Sequence, residues 1–254
     1  MSVREMFDLA GRVALVTGGS RGIGLHLAEA LGEMGAKLAL TARKEPELEQ
    51  ARALVGTQGI EAQIFARDLA DPAAIPDLVD NVLRVYGQID ILVNNAGTSW
   101  GAPAETHPLD AWKRVLDINL TAAFVLTQEV ANRSMIPRRG GKVVNMASVA
   151  GLSGLPIDVL RSIAYNTSKG GIVSFTRSLA AEWGQYGINV NAIAPGFIPT
   201  KMSKAVIHHA NAALLRMTPL GRLGNEDDLK GRSSCLPRRR AATSRGRPLP
   251  LMVG

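Results

Sequence analysis

Tyr165 and Lys169 lie four positions apart in Tyr165-Asn166-Thr167-Ser168-Lys169, where Ala164, Gly170, Gly171, Ile172 and Val173 read as the start of an apolar helix. At that spacing both side chains share one helix face. A phenol ionises near pH 10 in water, so acid–base work near neutrality asks for a drop of roughly three units, about 4 kcal/mol. A neighbouring ammonium supplies positive charge that would stabilise the phenolate. Alone, the pair equally describes an ordinary exposed helix face. Its meaning depends on the elements around it.

A second group of residues has a phosphate-binding layout. Val13-Ala14-Leu15-Val16 reads as a buried strand, followed at once by Thr17-Gly18-Gly19-Ser20-Arg21-Gly22-Ile23-Gly24 and an apolar helical pattern through Leu25, Leu27, Ala28 and Leu31. Glycines let the backbone approach a pyrophosphate, and the amides at a helix start offer donors to anionic oxygens. A strand from Lys37 to Thr41 should end beside an adenosine ribose, where an acid commonly holds the ribose hydroxyls. Here Ala42 and Arg43 follow instead. Arg43 and Arg21 would suit a ribose 2′-phosphate, which favours NADP(H) over NAD(H); as plain solvated loop residues they would imply nothing.

The rest of the chain repeats strand and helix. Ala62 to Ala66 leads to Arg67-Asp68-Leu69, Ile89 to Val93 leads to Asn94-Asn95-Ala96-Gly97, Lys142 to Met146 delivers Ser148, and Ile188 to Ile193 delivers Pro195 and Gly196. Helical stretches fall near Ala73 to Tyr86 and Asp110 to Met135. Such alternation predicts an α/β, Rossmann-like doubly wound parallel sheet with helices on both faces. Ligands bind such sheets at the carboxyl ends of the strands, where all these residues fall.

With 254 residues, 46% hydrophobic, the chain suits one domain, expected over 1–229. Its single cysteine excludes an intrachain disulfide, and four scattered histidines predict no metal site. No apolar run approaches the roughly 18 residues of a membrane span, so a cytoplasmic protein without a membrane partner is expected. The formal charge of +7 comes from residues beyond Leu229: Lys230, Arg232, Arg238, Arg239, Arg240, Arg245 and Arg247, with no acid among them. A neutral body with a basic tail predicts no nucleic-acid role.

Taken together, the glycine turn, Asn94-Asn95-Ala96-Gly97, Asn119, Ser148, Tyr165 with Lys169, and Pro195-Gly196 occur in the order of the short-chain dehydrogenase/reductase family, which the chain resembles from about Phe7 to Leu229. Segments near Asn94 to Ala102 and Asn189 to Gly196 look like 3-oxoacyl reductases and gluconate-type dehydrogenases. The resemblance implies hydride transfer between a nicotinamide and a ketone or secondary alcohol, a 3-oxoacyl or medium-sized carbonyl substrate being expected. It implies that Tyr165 donates a proton to the carbonyl oxygen, Ser148 hydrogen-bonds that oxygen, Lys169 binds the nicotinamide ribose and lowers the tyrosine pKa, and Asn119 orders a proton-passing water. It also implies cofactor contacts from Gly18, Ser20, Arg21, Gly22, Ile23, Gly24, Arg43, Asp68, Leu69, Asn95, Ala96, Gly97, Pro195, Gly196, Ile198 and Thr200.

The chain departs from that pattern twice. Ser148 and Tyr165 are 17 apart, wider than usual in the family, and the extra residues fall in Leu152 to Ile163. With Trp100, Phe197 and Met202 they would line an apolar substrate pocket; alternatively they form a surface loop packed on itself. The stretch Thr200 to Thr218 is expected to be a helical lid. The second departure begins near Gly231, where the chain runs into Arg238-Arg239-Arg240, Pro248 and Pro250. That composition predicts a missing or replaced last strand, an exposed edge on the strand before it, and a tail (230–254) that a shifted reading frame would explain. An assembly is expected to be a homodimer through Asp110 to Met135 and Tyr165 to Trp183, with a tetramer in doubt. The alternative function is an NADP binder whose altered end impairs catalysis.

Overall fold

In the computed structural model, which describes residues 2–157, 159–233 and 248–251, strands and helices alternate along the chain. After a short helix α1 (Val3–Phe7) come β1 (Val13–Thr17), α2 (Gly22–Glu33), β2 (Lys37–Ala42), α3 (Glu45–Gly56), β3 (Ala62–Ala66), α4 (Ala74–Tyr86) and β4 (Ile91–Asn94). Then α5 (Leu109–Leu116) and α6 (Ala122–Val130) are joined by a π-helical turn at Asp117–Thr121. They are followed by β5 (Gly141–Met146), α7 (Ile163–Trp183), β6 (Ile188–Pro195), α8 (Lys204–Met217), α9 (Glu226–Ser233) and β7 (Pro248–Leu251).

The seven strands pair in parallel in the order β3-β2-β1-β4-β5-β6-β7. All five residues of β1 are buried, as a strand covered on both faces requires. Strand parity divides the core. Ala14, Val16, Leu38, Leu40, Ile91 and Val93 pack under α2 and α3, while Leu15, Ala39, Leu92, Val143 and Val190 pack under α4, α6 and α7. Strand order reverses between β1 and β4, and at that switch point the loops from the two carboxyl ends part to leave a crevice.

The chain's end corrects one expectation. β6 is not left as an open edge, because Ala192, Ile193, Ala194 and Pro195 pair with Pro248, Leu249, Pro250 and Leu251. The last strand is replaced rather than missing. The physical reason lies in parity: prolines two apart put both absent N–H groups on one side of a strand, so Leu249 and Leu251 remain able to donate on the other. Residues 234–247, including the arginine run, lie outside the described residues.

Before that strand, α9 docks on α2 through apolar Leu229, which is fully buried, and through an ionic cluster. His26 Nδ1 lies 3.2 Å from Glu226 and 3.7 Å from Glu29. The Lys230 ammonium is 3.3 Å from Glu29 and 3.2 Å from Glu33, so a protein cation already sits among these carboxylates.

Candidate active site

The glycine turn is held by a knot of hydrogen bonds. Thr17, the last residue of β1, donates from Oγ1 to Val93 O at 3.2 Å and accepts from the Asn95 and Ala96 amides, both at 2.9 Å. The Asn95 side chain donates from Nδ2 to Thr17 O at 2.9 Å and Gly18 O at 3.3 Å. The ends of β1 and β4 are therefore fastened across the switch point. Gly18 and Gly22 take φ of +63° and +55°, a region that disfavours residues with a Cβ. At Gly24 a Cβ would lie 2.3 Å from Gly18 O, so the start of α2 can approach the turn only because glycine stands there. That close, side-chain-free cradle at a helix N-terminus fits a dinucleotide pyrophosphate.

Around it lie the remaining cofactor candidates. Arg21 caps α2, and its Nη1 is 2.6 Å from Glu47 Oε2 at the start of α3. Arg43, at the end of β2, is exposed and has no ion-pair or hydrogen-bond partner among the described residues. Asp68 is exposed and accepts from the Ala70 amide at 3.0 Å, while Leu69 is buried. Across the crevice, Pro195 closes β6 and Gly196 follows. Ile198 is buried, and Thr200 packs against Gly22, whose Cβ would meet its methyl at 3.4 Å. Ser203 pins this segment, donating to Ile198 O at 2.6 Å and accepting from the Thr200 amide at 2.9 Å.

The residues expected to handle the proton converge between β5, α7 and the helix that runs from α5 to α6. Ser148 caps a single 3-10 turn, Val149–Gly151, by accepting from the Ala150 amide at 3.2 Å, and its hydroxyl lies near enough to the Tyr165 phenol to draw that group's pKa down. The turn sits directly on α7, since a Cβ at Gly151 would lie 2.4 Å from the Lys169 carbonyl carbon. Lys169 is buried and donates to Met146 O at 2.6 Å, with its ammonium 5.7 Å from the Tyr165 ring centre. Asn119 sits in the π turn, a departure from α-helix that is rare and clusters at functional sites. Its Oδ1 accepts from the Thr98 amide at 2.8 Å, and its Nδ2 donates to Thr98 O at 3.0 Å and Ser168 Oγ at 2.9 Å. Ser168 in turn donates to Tyr165 O at 2.7 Å.

Electrostatics here differ from expectation. Burial pushes the Tyr165 phenol above its ordinary value, and the Ser148 hydrogen bond only partly opposes it. Burial also pulls Lys169 down to about 8. The Lys169 ammonium is directed to Met146 O, and the upward shift of the tyrosine comes from burial. The phenol is thus held in its proton-bearing form.

The extra residues between Ser148 and Tyr165 divide: Leu152 and Ile157 are 43% and 70% exposed, while Val159 and Leu160 turn to a later part of the chain. Val159 and Leu160 join Ala210 and Leu214 of α8, with Phe197, Ile207, Ala213 and Leu223 around them. The predicted lid is helical over Lys204–Met217 and is braced by this insertion. Ala102 bridges to Ser162, tying the loop after β4 to the start of α7. Trp100 on that loop is 40% exposed, with the Arg114 guanidinium 4.9 Å from its ring centre, and Met202 is also exposed. Four residues with positioning roles escaped sequence reasoning: Thr17, Ser168, Ser203 and Glu47. A threonine ending a strand beside glycines was the readable signal for the first.

Comparison with known proteins agrees with this geometry. The family profile described as short chain dehydrogenase matches residues 12–211. A gluconate 5-dehydrogenase of Gluconobacter oxydans is 36% identical over 252 residues, covering 98% of this chain and 96% of that protein. The solved structure of a Burkholderia cenocepacia gluconate 5-dehydrogenase in complex with NADP and tartrate superposes with a TM-score of 0.93 at 33% identity, covering 100% of this chain and 98% of the other. That of an NAD+-bound xylitol dehydrogenase gives 0.89 at 34% identity, covering 96% and 99%. Among the described residues no helix is long and apolar enough to cross a membrane. The chain belongs to the short-chain dehydrogenase family and is an oxidoreductase acting on CH–OH or C=O groups.

Proposed function

We propose that this enzyme is an NADP(H)-dependent ketoreductase or secondary-alcohol dehydrogenase. The observation that carries the reading is the meeting of Ser148 and Tyr165 side chains in front of a buried Lys169, at the carboxyl ends of β5 and β4. The bound dinucleotide supplies or accepts the hydride. During reduction Tyr165 gives its hydroxyl proton to the substrate oxygen, and Ser148 donates a hydrogen bond to that oxygen and fixes its position. Lys169 holds positive charge beneath the phenolate that remains. Asn119, tied to both Thr98 and Ser168, keeps the loop after β4 in register with α7 and so shapes the path by which Tyr165 regains a proton.

Two further details follow from the same site. Arg43, without a partner among the described residues, and Arg21 at the glycine turn support NADP(H), as does the NADP in the Burkholderia structure. Trp100, Phe197 and Met202 rim the substrate side and support a medium-sized carbonyl, with 3-oxoacyl thioesters and keto sugar acids as the classes to compare. We also infer a homodimer through the outer face of α6 and α7, where Phe124 is 46% exposed and meets Phe175 edge-on. The test is NADPH and NADH oxidation across both substrate classes, with Tyr165→Phe as control. The variant is expected to lose about 10²- to 10⁴-fold in kcat. Parent-like turnover in Tyr165→Phe would remove the proton-donor role.

A further inference from the structure

Four charged side chains gather where β2 ends, and only three of them suit an anion. Arg21 reaches over from the glycine turn, while Arg43 and Lys44 follow β2. Glu47 lies among them, its carboxylate 2.6 Å from Arg21 Nη1 and 3.5 Å from Lys44 Nζ. Partial burial would raise the Glu47 carboxyl, but the hydrogen bond and charge of Arg21, with Lys44 behind, outweigh it and hold Glu47 below the usual carboxylate range. It therefore stays ionised at neutral pH. Arg43 differs in having no such partner among the described residues.

A guanidinium already engaged by a carboxylate must share or release it before it can bind a phosphate dianion at full strength. We propose that Glu47 sets how strongly the enzyme distinguishes NADP(H) from NAD(H), by holding Arg21 when no 2′-phosphate is bound and opposing the phosphate when one arrives. The inference rests on the cofactor reading above and adds a residue to it. Arg43 makes the phosphate's standing contact, whereas Arg21 contributes only after exchanging partners. NADH lacks the phosphate and leaves the Arg21–Glu47 pair as it is. The pair is surface-exposed and screened by water, so its effect is modest in size; it acts on one side of the discrimination only.

The test is to titrate NADPH and NADH separately into the full-length wild type, Glu47→Gln and Arg43→Ala by nicotinamide fluorescence. The readout is the ratio of the NADH Kd to the NADPH Kd. Glu47→Gln is expected to raise that ratio about three- to tenfold, mostly through tighter NADPH binding, with the gain shrinking as salt is added. A second measurement, Glu47→Gln combined with Arg21→Ala, is expected to give a smaller rise. An unchanged ratio, or a lower one because Glu47 was orienting Arg21 for the phosphate, overturns the proposal. The cofactor reading fails separately, if the wild type binds NADH as tightly as NADPH and Arg43→Ala changes nothing. A wild type of that kind whose NADPH binding still improves in Glu47→Gln would support Glu47 and reject the reading.

Discussion

Lys169 is the residue whose burial is hardest to explain by stability. Its value drops from 10.5 to about 8 in the folded chain, so between those two pH values the unfolded chain binds more protons and folding stability rises with pH. Below about 8 the ammonium stays buried at a cost of about 3 kcal/mol. Replacing it with Lys169→Met should stabilise the ligand-free protein at pH 7 by ~1–3 kcal/mol, less whatever the abandoned Met146 carbonyl costs. The gain should fade as pH approaches 10.5. Thermal melts of both proteins across pH check the sign, and turnover should vanish in the same variant. Tyr165 and Lys169 are legible in the sequence only in company with the glycine turn, Asn119 and Ser148, since a phenol and an ammonium four apart also describe an ordinary exposed helix face. Ser168 is not, since a serine in a helix carries no mark of the Asn119 and Tyr165 groups it joins. Charge proximity can be read from spacing, whereas the burial that raises the Tyr165 phenol depends on what covers the group.

Among the elements, the short turn after β5 does the positioning. Gly151 lets it rest on the backbone of Lys169 and Gly170, at 2.4 Å and 2.6 Å from where a Cβ would be. Gly151→Ala must lift the turn from α7 and carry Ser148 away from Tyr165, at a folding cost of about 1–3 kcal/mol. Its kcat should fall more than its cofactor affinity, to which the glycine turn before α2 would still contribute; steady-state kinetics with a cofactor titration separates the two. Strands β1 to β6 could be read from their apolar runs, and their sequence bounds differ by only a residue or two from those observed. The π turn around Asn119 could not be read, because the buried positions Val115, Asn119, Ala122 and Leu126 keep the spacing that an unbroken α-helix would show. The insertion before Tyr165 was read as facing a pocket or itself. Its partner, α8, lies some fifty positions later, and only packing reveals such a pairing.

For the molecule as a whole, the surface where α6 and α7 meet carries the prediction. Phe124 exposes an aromatic face beside Phe175. Phe124→Glu should convert a dimer to monomers in sedimentation velocity while leaving the melting midpoint of dilute protein within a few degrees. A parent protein already monomeric at micromolar concentration would remove the dimer. Whole-molecule charge tells a different story from the site: the surplus of +7 gathers beyond Leu229, so the cleft's cations are local and not part of a general basic field.

The seventh strand has a consequence for how molecules meet. Pro248 and Pro250 alternate with Leu249 and Leu251, so the backbone side that turns from β6 offers carbonyls and no hydrogen to give. A stray strand arriving there finds half of its ladder unanswerable. The two prolines thereby work as a full stop, ending the sheet of the described residues at β7 and denying a second molecule the rung it would need to continue it.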